Sequence, residues 1–188
     1  KGELVCKNPF PSMPLKFWKD KNDIKFKKAY FNRFKNTWHH GDYAEIKMTG
    51  GFVIHGRSDT TLNPGGVRMG TAEIYSEVEK FKEIDESLVV GQAWNNDIRI
   101  VLFVVMNKKY SFTEKLSLKL KLKIRKNTSP RHVPSKIIVV NDIPRTKSGK
   151  IVELAVKNII DGNKVKNKEA LANPEVLKYF KNLKELEY

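Results

Sequence analysis

Residues 87–93 and 99–106 are two β-rich runs, dense in valine, isoleucine, leucine and phenylalanine, and only the turn Trp94-Asn95-Asn96-Asp97 lies near their junction. Such a pair predicts neighbouring strands of a short antiparallel sheet. The flanking segments predict helices. Upstream, Thr71 can cap a helix on which Ile74, Val78 and Phe81 recur at helical spacing. Downstream, Ser111 with Glu114 has the form of a capping box. The segment after it reads two ways: Leu116, Leu118, Leu120, Leu122 and Ile124 alternate as in a strand, whereas Phe112, Leu116, Leu120 and Ile124 make a helical stripe. The cap and the intervening lysines favour the helix. Residues 136–140 read as another strand, and residues 153–161 as a helix closed by Gly162. Asn173-Pro174-Glu175 opens a final helix. From residue 58 the order is therefore helix, two strands, helix, strand, loop, helix: a small α+β domain of short antiparallel sheets flanked by helices.

Residues 1–40 read differently. Pro9, Pro11 and Pro14 interrupt them, and Phe10, Phe17, Trp18, Tyr30, Phe31, Phe34 and Trp38 crowd among the lysines. Little periodic structure is expected there, and the aromatics call for packing against a larger body. Phe52-Val53-Ile54-His55 is a short strand between glycine pairs and a polar stretch. The expected division is residues 1–57, the edge of a large domain, and residues 58–188, a small one. A first residue other than methionine suggests a fragment or a processed chain. Cys6 is the single cysteine, so an intrachain disulfide is excluded and a reducing, cytoplasmic setting is expected. No apolar run is long enough to insert in a membrane.

The net charge is +15, with the basic excess at both ends around an acidic middle. One explanation is nucleic-acid binding. Another is a lysine-rich surface that also receives phosphorylated ligands. Residues 141–173 contain no aromatic side chain to stack on bases, which weakens the first. The histidines predict no metal site: His39 and His40 are adjacent, and no second cysteine is available for a zinc site.

Three stretches carry candidate chemistry. In Pro144-Arg145-Thr146-Lys147-Ser148-Gly149-Lys150-Ile151, Gly149-Lys150 invites a phosphate-loop reading, which fails. Pro144 stands where the first glycine belongs, and Ile151 where a magnesium-binding Ser or Thr belongs. What remains is a lysine on a loop shaped by Pro144 and Gly149, a cation suited to charge developing on phosphate. Upstream lie Gly56-Arg57-Ser58-Asp59 and Asn63-Pro64-Gly65-Gly66-Val67-Arg68. Before both comes Gly41-Asp42, whose carboxylate can accept hydrogen bonds from two ribose hydroxyls.

In this order, these stretches resemble the C-terminal portion of the acyl-adenylate-forming, CoA-ligating enzymes, and the resemblance covers the whole chain. It implies that Lys150 is the catalytic lysine of adenylation. It implies that Asp42, Arg57 and Arg68 contact ATP or AMP, and that Asp59 is the hinge of a mobile C-terminal domain. Gly65 and Gly66 would line the pantetheine path, and Arg125 would meet the CoA phosphate. Arg131-His132-Val133-Pro134-Ser135, Val152-Glu153-Leu154-Ala155-Val156-Lys157 and the Asn173-Pro174-Glu175 tail are similar to members acting on acetoacetate rather than on acetate or propionate. The implied substrates are acetoacetate, ATP with Mg2+, and CoA, and the implied partner is the rest of the N-terminal domain. The family's phosphate loop and acyl pocket lie in that body and are not in this sequence.

Overall fold

A computed structural model describes residues 1–165 and 167–187. The chain forms two compact units that divide after Asp59.

The first unit is built on a three-stranded antiparallel sheet in the order β1 (Gly2–Cys6), β2 (Trp38–Ile46), β3 (Phe52–Arg57). Helix α1 (Ile24–Tyr30) lies between β1 and β2. The N-terminal forty residues are thus more ordered than their prolines suggest. The reason is that the aromatics pack on one another. Trp38 is buried, with Tyr30 stacked on it at 3.8 Å and Phe10 and Phe31 meeting it edge-on at 5.2 and 5.9 Å. Such contacts add to the area they bury. Not every aromatic joins: Trp18 is 87% exposed, and Phe52 and Ile54 on β3 also face outward.

In the second unit the two β-rich runs form a hairpin of β4 (Ile84–Trp94) and β5 (Asp97–Met106), paired antiparallel from Ile84↔Met106 to Trp94↔Asp97. Asn95 and Asn96 both have positive φ, 48° and 60°, which is the twist that a two-residue hairpin turn requires. Strand β6 (Lys136–Val139) then lies parallel to β5. The sheet is therefore mixed and not purely antiparallel, because helix α3 (Glu114–Asn127) intervenes and carries the chain back along the sheet.

Both faces of this sheet are covered, which is why its strands are nearly continuous in apolar residues. On one face Val89, Ile100, Leu102 and Val104 pack with Ile74 and Val78 of α2 (Ala72–Val78) and with Leu116, Leu120 and Ile124 of α3. The helical stripe of α3 thus prevails over the alternation, and Leu118 and Leu122 are left exposed. Its cap is not Ser111 but Thr113, whose hydroxyl accepts from the Leu116 amide at 3.2 Å. Thr71 precedes α2 without a side-chain cap. On the other face Leu88, Val90, Val101 and Phe103 meet Val156 of α4 (Glu153–Ile160) and Val176, Phe180 and Leu186 of the tail. The tail element opened by Asn173-Pro174 is a 3-10 helix, Pro174–Phe180, rather than an α-helix. Arg99 fastens the end of the tail: its guanidinium donates to the Leu186 carbonyl at 2.9 Å and lies 3.4 Å over the Trp94 ring.

Candidate functional site

In the first unit, β2 and β3 bring Asp42 opposite Arg57 in register. Arg57 Nη1 donates to Asp42 Oδ1 and to the His40 carbonyl, both at 3.3 Å, and its Nε lies 3.6 Å from Asp59. The other Asp42 oxygen accepts from His40 Nδ1 at 2.6 Å. Gly41 has φ +83°, and a Cβ there would come within 2.7 Å of an Arg57 guanidinium nitrogen, so only glycine lets the arginine lie across the strand. Tyr30, Arg33, His39 and Gly41 line a cleft of about 500 Å³ beside Arg57 and Asp59. Beneath it Glu3 is nearly buried and accepts from Arg33 at 2.8 Å, from His39 at 3.0 Å and from the Ser58 hydroxyl. Glu3 is not legible as a site residue, because its partners Arg33, His39 and Ser58 lie far along the sequence, whereas His40 meets Asp42 two residues on along the same strand.

In the second unit, Leu62 and Met69 exchange backbone hydrogen bonds at 2.9 Å, and Asn63–Arg68 form the loop they close. The Gly65 amide donates to both Asp97 oxygens at 2.9 and 3.0 Å, while Arg131 reaches the Gly65 carbonyl at 3.4 Å. Amide donation from Ile98 and then from Gly65 holds the Asp97 carboxyl below its ordinary range. Asp97 and Arg131 thus anchor the glycine loop from the hairpin and from the segment after α3. In the sequence nothing marks Asp97 as more than a turn residue. Arg68 Nε donates to Thr61 at 3.2 Å and turns toward the loop's base. Arg125 is exposed in the last turn of α3. His132 is buried between Ser129 (2.8 Å) and Glu73 of α2 (2.6 Å), a structural bridge.

Lys150 ends a three-residue hairpin loop. The Thr146 amide donates to the Lys150 carbonyl and the Gly149 amide to the Thr146 carbonyl, both at 2.8 Å, and Gly149 has φ +82°. That is a tight turn followed by a left-handed residue, a pattern glycine serves best. Arg145 pairs with Ile151 below the turn, and its guanidinium ties the Gly149 carbonyl (2.9 Å) to Glu86 of β4 (2.7 Å). Residues 147–150 are all exposed. The hairpin thus presents a lysine side chain to solvent on a backbone held at several points, which is what a cation that must meet a phosphate needs.

Asp42, Arg57 and Asp59 are together in the first unit, whereas Gly65, Gly66, Arg68, Arg125 and Lys150 lie in the second. Among the described residues no group of three or more His, Cys, Asp or Glu is set to hold a metal ion. None of the described helices is long and apolar enough to cross a membrane.

Residues 73–150 match the family described as AMP-binding enzyme C-terminal domain. Over 99% of this chain, the acetoacetyl-coenzyme A synthetase of Rhizobium meliloti (strain 1021) is 60% identical and the acetoacetyl-CoA synthetase of Xenopus tropicalis 48%. The chain spans 29% and 28% of their lengths, at their C-terminal ends. Among solved structures, the acetoacetyl-CoA synthetase from Streptomyces lividans superposes with a TM-score of 0.88 at 40% identity, over 95% of this chain and 27% of that one.

Proposed function

We propose that this chain, whose residues 73–150 match the AMP-binding enzyme C-terminal domain, is the C-terminal portion of an acetoacetate–CoA ligase. The observation that carries the reading is the likeness to acetoacetyl-CoA synthetases along almost the whole chain, tail included. In the first half-reaction an acetoacetate carboxylate oxygen attacks the α-phosphorus of ATP, and diphosphate leaves. In the second the CoA sulfur attacks the acyl carbon of the adenylate, the thiol loses its proton, and AMP leaves.

In this reading Lys150 meets the acyl carboxylate and α-phosphate as negative charge gathers on the phosphate oxygens. The exposed hairpin with a fixed base supports that role. Asp42 accepts from the ribose hydroxyls, and its contact with Arg57 keeps the carboxylate oriented. Arg57 and Arg68 contact the nucleotide. Gly65 and Gly66 allow the pantetheine arm to pass close to backbone, with Asp97 and Arg131 holding the loop open. Arg125 meets the 3′-phosphate of CoA. Asp59, the last residue of the first unit, is the hinge on which the 58–188 domain turns between the two half-reactions. Magnesium travels with the ATP phosphates, and no residue of this chain is assigned to it.

The deciding experiment is Lys150→Ala in the full-length enzyme, with the half-reactions assayed separately. Adenylation should fall at least about a hundredfold, as when one transition-state contact is deleted. Thioester formation from supplied acetoacetyl-adenylate should stay near wild type. Equal losses in both halves would refute the assignment.

A further inference from the structure

The family match ends at residue 150, yet the chain returns to the lysine hairpin about twenty residues later. Thr146 pairs with Leu171 in an antiparallel bridge, the Ala172 amide donates to the Arg145 carbonyl at 2.8 Å, and the Lys147 amide points to the Ala170 carbonyl at 3.4 Å. Asn173 closes the array with its whole amide group. Its Oδ1 accepts from the Arg145 amide at 2.8 Å, and its Nδ2 donates to the Ile143 carbonyl at 3.0 Å and to Asp142 Oδ2 at 3.1 Å. Behind them Leu171 is buried with Ala155 and Leu177, so the returning segment is itself anchored.

The arm that leads into the lysine turn is therefore the middle strand of three. On one side it pairs with residues 150–152, through Thr146–Lys150, Arg145–Ile151 and the Val152 amide on the Pro144 carbonyl at 3.0 Å. On the other it pairs with residues 170–173. The difference matters energetically, because an isolated two-stranded hairpin is marginal in water and a third strand removes much of its freedom. It matters chemically as well. A group that stabilises a transition state must be held within about 0.5 Å of its productive position.

We propose that residues 170–173 are a positioning strand for Lys150, with Asn173 as its key side chain. The inference rests on the adenylating role of Lys150 proposed above and adds to it a residue that touches no reactant. Asn173 suits the task because one side needs an acceptor and the other a donor. Aspartate would set a second carboxylate against Asp142, and alanine would leave the Arg145 amide and the Ile143 carbonyl without these partners. The strand also accounts for a tail that continues well past the lysine.

The test uses the full-length enzyme and the variants Asn173→Ala, Ala172→Pro, Lys150→Ala and Asn173→Ala/Lys150→Ala. Ala172→Pro removes the amide that donates to Arg145 and leaves Asn173 in place. Both tail variants should lower adenylation about ten- to a hundredfold, the scale of a misplacement of about 1 Å. Thioester formation from supplied adenylate should be spared, and amide exchange at Thr146, Gly149 and Lys150 should quicken. In the Lys150→Ala background, Asn173→Ala should cost nothing more in adenylation, since its effect passes through the lysine. Losses that add in the double variant would overturn the positioning role. So would wild-type adenylation in both tail variants while Lys150→Ala is inactive, which leaves the assignment of Lys150 standing. Wild-type adenylation in Lys150→Ala would instead remove the premise, whatever Asn173→Ala does. If neither tail variant folds, the segment serves the whole domain and no role specific to the loop survives.

Discussion

Phe180→Ala tests whether the tail belongs to the core of the second unit. Phe180 is 1% exposed and meets Phe103 of the central strand edge-on, ring centres 4.9 Å apart and planes at 78°. Truncating a buried phenylalanine costs about 3–5 kcal/mol, of which the aromatic pair accounts for about 0.5–1.5. The second unit runs from Thr60 to Tyr188, that is 188 − 59 = 129 residues. At about 2.1 cal/mol/K of unfolding entropy per residue, each kcal/mol moves the midpoint by about 4 °C, so Tm should fall about 11–18 °C. Calorimetry would read this directly. Urea titration should give a lower midpoint at unchanged slope, the mark of lost stability without a change in exposed surface. Leu118→Ala, at a position 59% exposed on α3, is the control and should stay within about 0.5 kcal/mol. A Phe180→Ala loss under about 1 kcal/mol would refute the argument, for it would mean that the tail lies on the domain without completing it.

Three further outcomes follow from particular contacts. Hydrogen bonds from Lys47 and then His55 hold the Glu45 carboxyl at about 2, against an ordinary 4.5. Its stabilising effect is full above the ordinary value and lost as pH falls from there through about 2, so Glu45→Gln should flatten the acid limb of first-unit unfolding in that window, read by Trp38 fluorescence; an unchanged limb would count against the contact. Burial, then Glu153, pushes the Tyr75 phenol well above its ordinary 10, and the same hydroxyl accepts from the Val89 amide at 3.0 Å. Tyr75→Phe should cost about 1–3 kcal/mol by stranding that amide, and in the wild type phenolate absorbance from this residue should appear only on unfolding at high pH. Arg125→Ala in the full-length enzyme should raise KM for CoA and not for ATP, and should abolish the preference for CoA over dephospho-CoA; a preference as strong as wild type would remove Arg125 from the phosphate site.

The second unit was largely legible because its strongest signals are local. The hairpin could be read from two apolar runs and an Asn-Asn turn, and α3 from a buried stripe of Leu116, Leu120 and Ile124 that outweighs Leu118 and Leu122. The cap was misplaced by two residues, since Ser111 and Thr113 offer equivalent hydroxyls and only backbone geometry chooses between them. The first forty residues misled for the opposite reason. Their order comes from β1 pairing with a strand more than thirty residues away and from aromatics closing on Trp38, neither of which leaves a period in the sequence. At the site, residue chemistry pointed to Asp42 and Lys150, and the family resemblance added Arg57 and Gly65. The groups that hold Asp42 and Gly65, namely His40, Asp97 and Arg131, are unremarkable polar residues until the fold brings them near.

The second face of the sheet in the second unit is closed by Val176, Phe180 and Leu186, residues that come well after its strands in the sequence. A chain made from its N-terminus folds domain by domain. Here β4, β5, α2 and α3 can assemble against one face while the ribosome is still adding residues, but the other face must stay bare. Leu88, Val101 and Phe103 then wait as an exposed apolar surface until residues 176–186 have been made. The lysine hairpin likewise gains its third strand only when residues 170–173 follow it. A product cut short just after the lysine would therefore display a greasy sheet for chaperones or proteases to recognise, together with an unbraced lysine loop, so that one stretch, residues 170–186, completes both the core and the hairpin's support.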